Sequence, residues 1–462
     1  MNPWGGVRRQ ETGERTMRHA RVPLSRLIAV AMGCVMLAGC GGGSTTTTPT
    51  PIPTPTPVAN SITVTVNAGP ANNAVNMAYV SVTVCNPSGS STCVTIPNVQ
   101  VDTGSSGLRI LASAPQVSTL NLSQVTAGAT PVYECYAYPD GAYLWGPVMQ
   151  GGVSMSGESA TNVPIQVIDN VAAPASVLSS CDPIGGNNLG TSTLLQANGI
   201  LGIGPALQDC GVLCTGSTVL PYYWLCTSSS TCTSPAAVPT PTQVSNPVAF
   251  FNGSDNNGVM LTMGSLGSTN EANSGSGTLY FGIGTQTDNA LGSSTKAYAL
   301  SLNTLNGIAY DSIFATYNGN SYPAYVDSAE NFLFLLDPAT VAAYSAGAGI
   351  TSCPGAVPLS EYYCTSSAPS LPFTIKDSGT DSSTVTLTIG NGTTLYNSSV
   401  ANGGSNTAFS NLAGGYSGLV NDEVILGMPF FYGRTVYVGI AGQAPPSGLS
   451  ATTYGALGYW AF

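Results

Sequence analysis

Two aspartates in this chain stand where acid–base chemistry could be done. The run Val101–Leu111 reads VDTGSSGLRIL, so an apolar stretch ends on Asp102 and is followed by Thr103, Gly104 and Ser105. A buried catalytic carboxylate needs this form. The apolar residues hold a strand, a hydroxyl braces the loop, and glycine lets two backbone segments approach closely. Asp-Thr-Gly also makes an ordinary turn, so one copy decides little. A second copy is present. Tyr325–Leu335 reads YVDSAENFLFL, with Asp327 and Ser328 again after apolar residues. Ile200-Leu201-Gly202 begins 98 residues after Asp102, and Ile425-Leu426-Gly427 begins the same 98 residues after Asp327. Two carboxylate loops, each with its own distant Ile-Leu-Gly, suggest a duplicated lobe.

Other hydrolytic chemistries lack their residues. The one histidine, His19, lies in the N-terminal segment, so nothing after Cys40 can supply a Ser-His-Asp or Cys-His arrangement or histidine-ligated zinc. The two lysines, Lys296 and Lys376, have no Ser-Lys motif around them, and no C-x-x-C pair argues for a metal cluster. Paired carboxylates are the chemistry that remains, with no metal and no cofactor expected.

The elements that must position these loops read as strands. SITVTV, YVSVTV, TLYFGIG, STVTLTI and RTVYVGI all alternate with period two. With 55 glycines and 32 prolines, long helices are heavily interrupted. The clearest helix candidate is Pro338–Ala346, with proline at its start and an aspartate before it. Each aspartate is approached through a hairpin: Val80–Cys85 with Cys93–Ile96, and Ser312–Tyr317 with Tyr322–Val326 across an Asn-Gly turn.

On VDTGSSGL, on NGILGIGP at 198–205, on YVDS and on EVILGMPFFYGRTVYVGI at 423–440, the chain resembles the pepsin-like aspartic peptidases over most of residues 61–462. Together with the N-terminal signal described below, it looks like a family of bacterial lipoproteins built on that fold. The resemblance implies a mostly β, bilobal architecture, with lobes at 61–275 and 276–462 and a cleft between them. It implies Asp102 and Asp327 as a catalytic pair that shares a proton and titrates as a unit. Thr103, Gly104, Ser105 and Ser328 would support the pair. A glycine-rich hairpin carrying an aromatic would fold over the substrate. Within 143–165, Trp145-Gly146 is the first candidate and Tyr143 the second, against an equal expectation of a surface hairpin with a packed tryptophan.

The chain departs from that family in its second loop, which reads Asp327-Ser328-Ala329-Glu330 where the family has Asp-Thr/Ser-Gly-Thr/Ser. Ala329 adds a methyl where backbones crowd. Glu330 adds a third acid, which raises the proton affinity of the pair or turns away to solvent or to a cation. Arg109 stands where the family often has an aromatic. It either neutralises a nearby acid or is a solvated side chain, and the usual exposure of arginine favours the second.

The N-terminus reads as a targeting segment. Arg18, Arg21 and Arg26 precede the apolar run Leu27–Leu37, and Leu37-Ala38-Gly39-Cys40 follows it. L-A-G-C resembles the bacterial lipobox, so residues 1–39 are expected to be a signal peptide and Cys40 a lipidated first residue. Residues 40–60, rich in Thr and Pro, are expected to form an extended tether. Gly41 after the cysteine favours, by resemblance to bacterial sorting rules, an outer-membrane location.

Of ten basic residues six precede Cys40, and of 21 acidic residues two do, so four and 19 remain, a formal charge of −15. That argues against a nucleic-acid or anionic-lipid partner; the resemblance implies a peptide or protein as the ligand. Setting aside Cys34 and Cys40, ten of the twelve cysteines remain, which fits disulfides in an oxidising compartment. Sequence proximity suggests Cys85–Cys93, Cys210–Cys214, Cys226–Cys232 and Cys353–Cys364, leaving Cys135–Cys181, although sequence alone does not fix connectivity.

Three functions are compatible with these observations. One is an exported aspartic endopeptidase. Another is a silent relative that binds peptides or glycans in the same cleft. The third is a structural envelope lipoprotein. An aligned cleft separates the first two from the third, and proteolysis separates the first from the second.

Overall fold

The computed structural model describes residues 60–462 except the short segments 88–91, 139–140, 184, 217–218, 229, 306–307, 345–348 and 416–422. The signal segment, Cys40 and the tether lie outside the described residues.

The alternating runs are strands, and the architecture is mostly β in two halves, as expected. One large sheet holds Ser61–Val66, Ala78–Cys85, Cys93–Asp102 and their neighbours. A second, of eight strands, holds Ile308–Tyr317, Asn320–Val326, Ser370–Lys376, Ser382–Thr388 and Val424–Leu426. The chain does not leave the first sheet for good. Thr435–Gly439 returns to pair with Gly258–Met263, and Tyr459–Ala461 pairs with both Thr435–Gly439 and Ala297–Ala299. One continuous core runs through both halves, from Val101, Leu108 and Leu201 to Val326, Leu426 and Trp460. Among the described residues, no helix is long and apolar enough to cross a membrane.

Both expected hairpins form. Ala78–Cys85 pairs antiparallel with Cys93–Asp102, and a disulfide joins the facing Cys85 and Cys93. Ile308–Tyr317 pairs with Asn320–Val326, with Tyr317 opposite Asn320. That register leaves a two-residue turn in which Asn318 and Gly319 both have positive φ, 48° and 84°. Such a turn matches the twist of the strands it joins, and Asn-Gly tolerates it best.

The Ile-Leu-Gly elements lie where the equal spacing requires. Gly199–Ile203 runs parallel to the first aspartate strand, with Leu201 beside Val101. Val424–Leu426 runs parallel to the second, with Leu426 beside Val326. The same leucine therefore abuts the residue before each aspartate. Gly427, which follows the second of these strands, has no room for a side chain, because a Cβ there would collide with the Phe332 carbonyl.

All five disulfides follow the pairing that sequence proximity suggested, including Cys135–Cys181, which spans 46 residues. A helix occupies Pro338–Tyr344. Asp337 begins it by accepting the N–H groups of Ala339 and Thr340 at 3.0 and 3.1 Å.

Candidate active site

Asp102 ends its strand at the point where the chain must turn, and the turn closes on its own carboxylate. Oδ1 accepts the N–H groups of Gly104 and Ser105 at 2.8 and 2.9 Å, and the Ser105 hydroxyl donates to Oδ2. Gly104 is required here for space. A Cβ at that position would collide with the carboxyl of Asp327, so the first loop lies directly against the second aspartate.

The second loop repeats the backbone part of this design, with Ala329 donating its N–H to Oδ1 of Asp327 at 2.8 Å. The residue three along is Glu330, where the first loop has a hydroxyl. Between the loops runs a reciprocal brace. Thr103 donates its hydroxyl to the Val326 carbonyl at 2.9 Å and accepts the Ser328 N–H at 2.9 Å. Ser328 donates to the Val101 carbonyl at 2.7 Å and accepts the Thr103 N–H at 3.2 Å. Both hydroxyl residues are fully buried. Each loop thus satisfies backbone groups of the other, which neither half could do alone.

A cavity of about 410 Å³ opens above the brace. Asp102, Gly104 and Ser105 line it from one side and Asp327, Ala329 and Glu330 from the other. Tyr136, Ala137, Tyr138 and Ala142 form a wall, and Glu423 and Ile425 lie at its second-loop end.

The two carboxyls are not electrostatically equal. Burial raises Asp102 above the ordinary carboxylate range, while the Ser105 hydroxyl, the two N–H groups and the charge of Arg109 pull it back down. Burial raises Asp327 further, the negative charges of Asp102 and Glu330 add to the rise, and fewer donors oppose it.

Residues 56–462 match the model of a family described as a protein of unknown function, DUF3443. The chain belongs to the DUF3443 family. No curated protein matches it. Among solved structures, an aspartic proteinase from Irpex lacteus is similar at 16% identity, covering 82% of this chain and 94% of that one, with a TM-score of 0.43.

Two expectations about the walls of the site are corrected in this DUF3443 chain. The hairpin over the cleft exists, formed by Thr130–Ala137 and Tyr143–Met155, but Trp145 does not face the cavity. Trp145 is fully buried with Tyr143, Trp224 and the Cys135–Cys181 disulfide on the opposite side, stacked on Tyr133 with ring centroids 5.3 Å apart. Gly146 sits beside it because a Cβ would collide with the Val167 carbonyl. The aromatics that this part of the chain puts on the cavity are Tyr136 and Tyr138, on the side of the earlier strand. Successive strand residues face opposite sides, and sequence alone does not say which strand of a hairpin carries the inward face.

Arg109 is not solvated. It is 1% exposed, and one guanidinium nitrogen bonds Glu134 at 2.6 Å and Asp209 at 2.8 Å. Its strand, Ser106–Leu111, is buried at every position, flanked on one side by Gly199–Ile203 and on the other by Glu158–Ile168. This strand is buried on both faces, so a charge on it must find buried partners. Neither Glu134 nor Asp209 figured among the sequence candidates. The available signal was an arginine inside an apolar run and a glutamate between tyrosines in PVYECYAY.

Proposed function

We propose that this chain is an exported, lipid-anchored endopeptidase that hydrolyses peptide bonds with Asp102 and Asp327. The observation that carries this reading is the pair of carboxyls on one cavity, each held by its own loop and joined beneath by the Thr103–Ser328 brace. Asp102, better supplied with donors, is the ionised member and takes a proton from a water placed between the carboxyls. Asp327, the protonated member, donates its proton to the carbonyl oxygen of the scissile bond. Oxygen–carbon bond formation gives a tetrahedral diol; Asp102 then passes the water's proton to the nitrogen, a diol hydroxyl returns a proton to Asp327, and the carbon–nitrogen bond breaks to leave a carboxylic acid and an amine. Gly104, Ser105 and Tyr136 contribute to the walls against which an extended peptide would lie.

The full chain, purified in detergent, is expected to cleave an unfolded protein between about pH 3 and 5, where a carboxylate pair holds one proton. Absence of cleavage at any pH would leave a second reading, a peptide-binding protein without turnover. The observation favouring that alternative is Ala329-Glu330, which puts a methyl and an acid where the first loop has Gly104 and a hydroxyl. Cys40→Ala is expected to release the protein from membranes into the soluble fraction. A variant that still sediments with membranes would remove the anchor from this proposal.

A further inference from the structure

A buried charge cluster lies beneath the wall of the cleft, outside the pair of aspartates. Arg109 is its centre. Its guanidinium meets Glu134 of the flap strand Thr130–Ala137, Asp209 of the loop after Gly199–Ile203, and the Ser106 carbonyl of its own strand at 3.0 Å. The Tyr136 ring covers it, with the guanidinium carbon 4.1 Å from the ring centroid. Glu134 and Tyr136 are two apart on one strand, so they share a face, and both are spent on the same cation. Tyr223 completes the cluster by donating to Asp209 at 2.6 Å and accepting the Val244 N–H at 2.7 Å.

Two buried carboxyls on one guanidinium leave an excess negative charge, which is costly away from water. Burial and the neighbouring Asp209 push the Glu134 carboxyl far above its ordinary range, although Arg109 opposes the rise. Burial thus favours the uncharged form of Glu134. Such a cluster contributes little net stability compared with a well-packed apolar one. Its position is informative instead, since it bonds the strand that carries Tyr136 and Tyr138 to the strand that leaves the Asp102 loop.

We propose that Arg109 is a positioning residue for the site: it pins the flap strand to the Asp102 loop and holds Tyr136 as the wall of the cleft. The proposal rests on the peptidase reading for its catalytic meaning, but not for its geometry. The groups facing Arg109 are Glu134, Tyr136 and Tyr138 of the flap strand, Asp209 after the Ile-Leu-Gly strand, Tyr222 and Tyr223, with Asp102 within reach of its charge. The tyrosines are all pushed upward by burial and stay neutral across the acid range. Only the carboxyls respond to pH there.

The test replaces the whole cluster, because removing Arg109 alone strands two acids. The triple variant Arg109→Met, Glu134→Gln, Asp209→Asn is made in the full chain beside Arg109→Lys, and carboxyl-labelled aspartate is titrated by NMR. Asp102→Asn and Asp327→Asn assign the signals. In the triple variant the cation and its two acids leave together, so the Asp102 signal is expected to stay near its wild-type position, as it is in Arg109→Lys. Both variants are expected to raise KM for a peptide several-fold while changing kcat little, because one ammonium cannot hold two carboxylates and a ring together. A folded triple variant with an unchanged KM overturns the proposal. If the triple variant does not fold, Tyr136→Leu decides. Unchanged KM in both Tyr136→Leu and Arg109→Lys overturns the proposal, and a raised KM in both supports it. If wild type cleaves nothing, the affinity for a non-cleavable peptide gives the same decision, so failure of the peptidase reading is seen separately.

Discussion

In the first aspartate loop the carboxylate is held by two backbone N–H groups and a hydroxyl, with a buried cation one strand away. In the second it has the N–H groups of Ala329 and Glu330, a methyl-bearing neighbour, and an acid where the first loop has the hydroxyl. The strands beneath are alike in register and the brace between the loops is reciprocal, so the difference lies only in what surrounds each carboxyl. The backbone therefore sets where the two groups meet, and the side chains set which one carries the proton. A symmetric pair would share its proton evenly. In the proposed reaction the first loop supplies the base and the second the acid.

The largest expected effect tests whether both loops are needed. Asp102→Asn and Asp327→Asn should each reduce kcat by about 10²–10⁴-fold, the usual contribution of a positioned acid or base. The two variants should differ in stability. Asp327 binds its proton more tightly folded than unfolded, so wild type loses stability as pH rises from the unfolded value of about 4 through the raised folded value. Asp327→Asn stays neutral and should gain in Tm relative to wild type across that window, by more than Asp102→Asn does. Equal gains in melting experiments at pH 4 and 7 would show that the loops are not electrostatically distinct.

Next in size is the brace. Ser328→Ala leaves the Val101 carbonyl and the Thr103 N–H without their partner, and Thr103→Val does the same to the Val326 carbonyl and the Ser328 N–H. Each should cost about 1–3 kcal/mol in urea denaturation, the penalty for burying unsatisfied polar groups. Similar costs are expected on the two sides, because here the loops are equivalent.

Making the second loop like the first should have a smaller effect. Ala329→Gly with Glu330→Thr removes the methyl and the like charge and adds a hydroxyl. Asp327 should then fall toward its ordinary range, which moves the alkaline limb of the activity profile to lower pH, with a several-fold rise at the optimum. An unchanged limb would acquit Glu330. The smallest effect is expected from Ser105→Ala, which removes one donor to the ionised Asp102. The acidic limb should move up by less than about one pH unit, since two N–H donors remain.

Much of this was legible in the residues. The equal spacing of aspartate and Ile-Leu-Gly suggested a duplicated lobe, and in both halves that element runs parallel to the aspartate strand at the same depth. Asn318-Gly319 marked its hairpin through its tolerance of positive φ. The wall of the cleft was not legible. Tyr143, Trp145, Tyr136 and Tyr138 all sit in one hairpin, and a strand offers no local sign of which face meets the core and which the cleft. Arg109 was misjudged for a related reason. The exposure of a typical arginine is an average over surfaces, and only the burial of both faces of its strand shows that no surface is there.

The Thr103–Ser328 brace also sets a timetable. When the first half of the chain has been made, Asp102 is present but the Thr103 hydroxyl has no Val326 carbonyl to meet and the Val101 carbonyl has no Ser328. The first sheet is itself still short of Thr435–Gly439 and Tyr459–Ala461. A nascent chain therefore carries half of a site that cannot close until nearly its last residue has been made. Completion of the polypeptide acts as the switch for assembling the site, and a truncated product would carry both aspartates without the architecture that joins them.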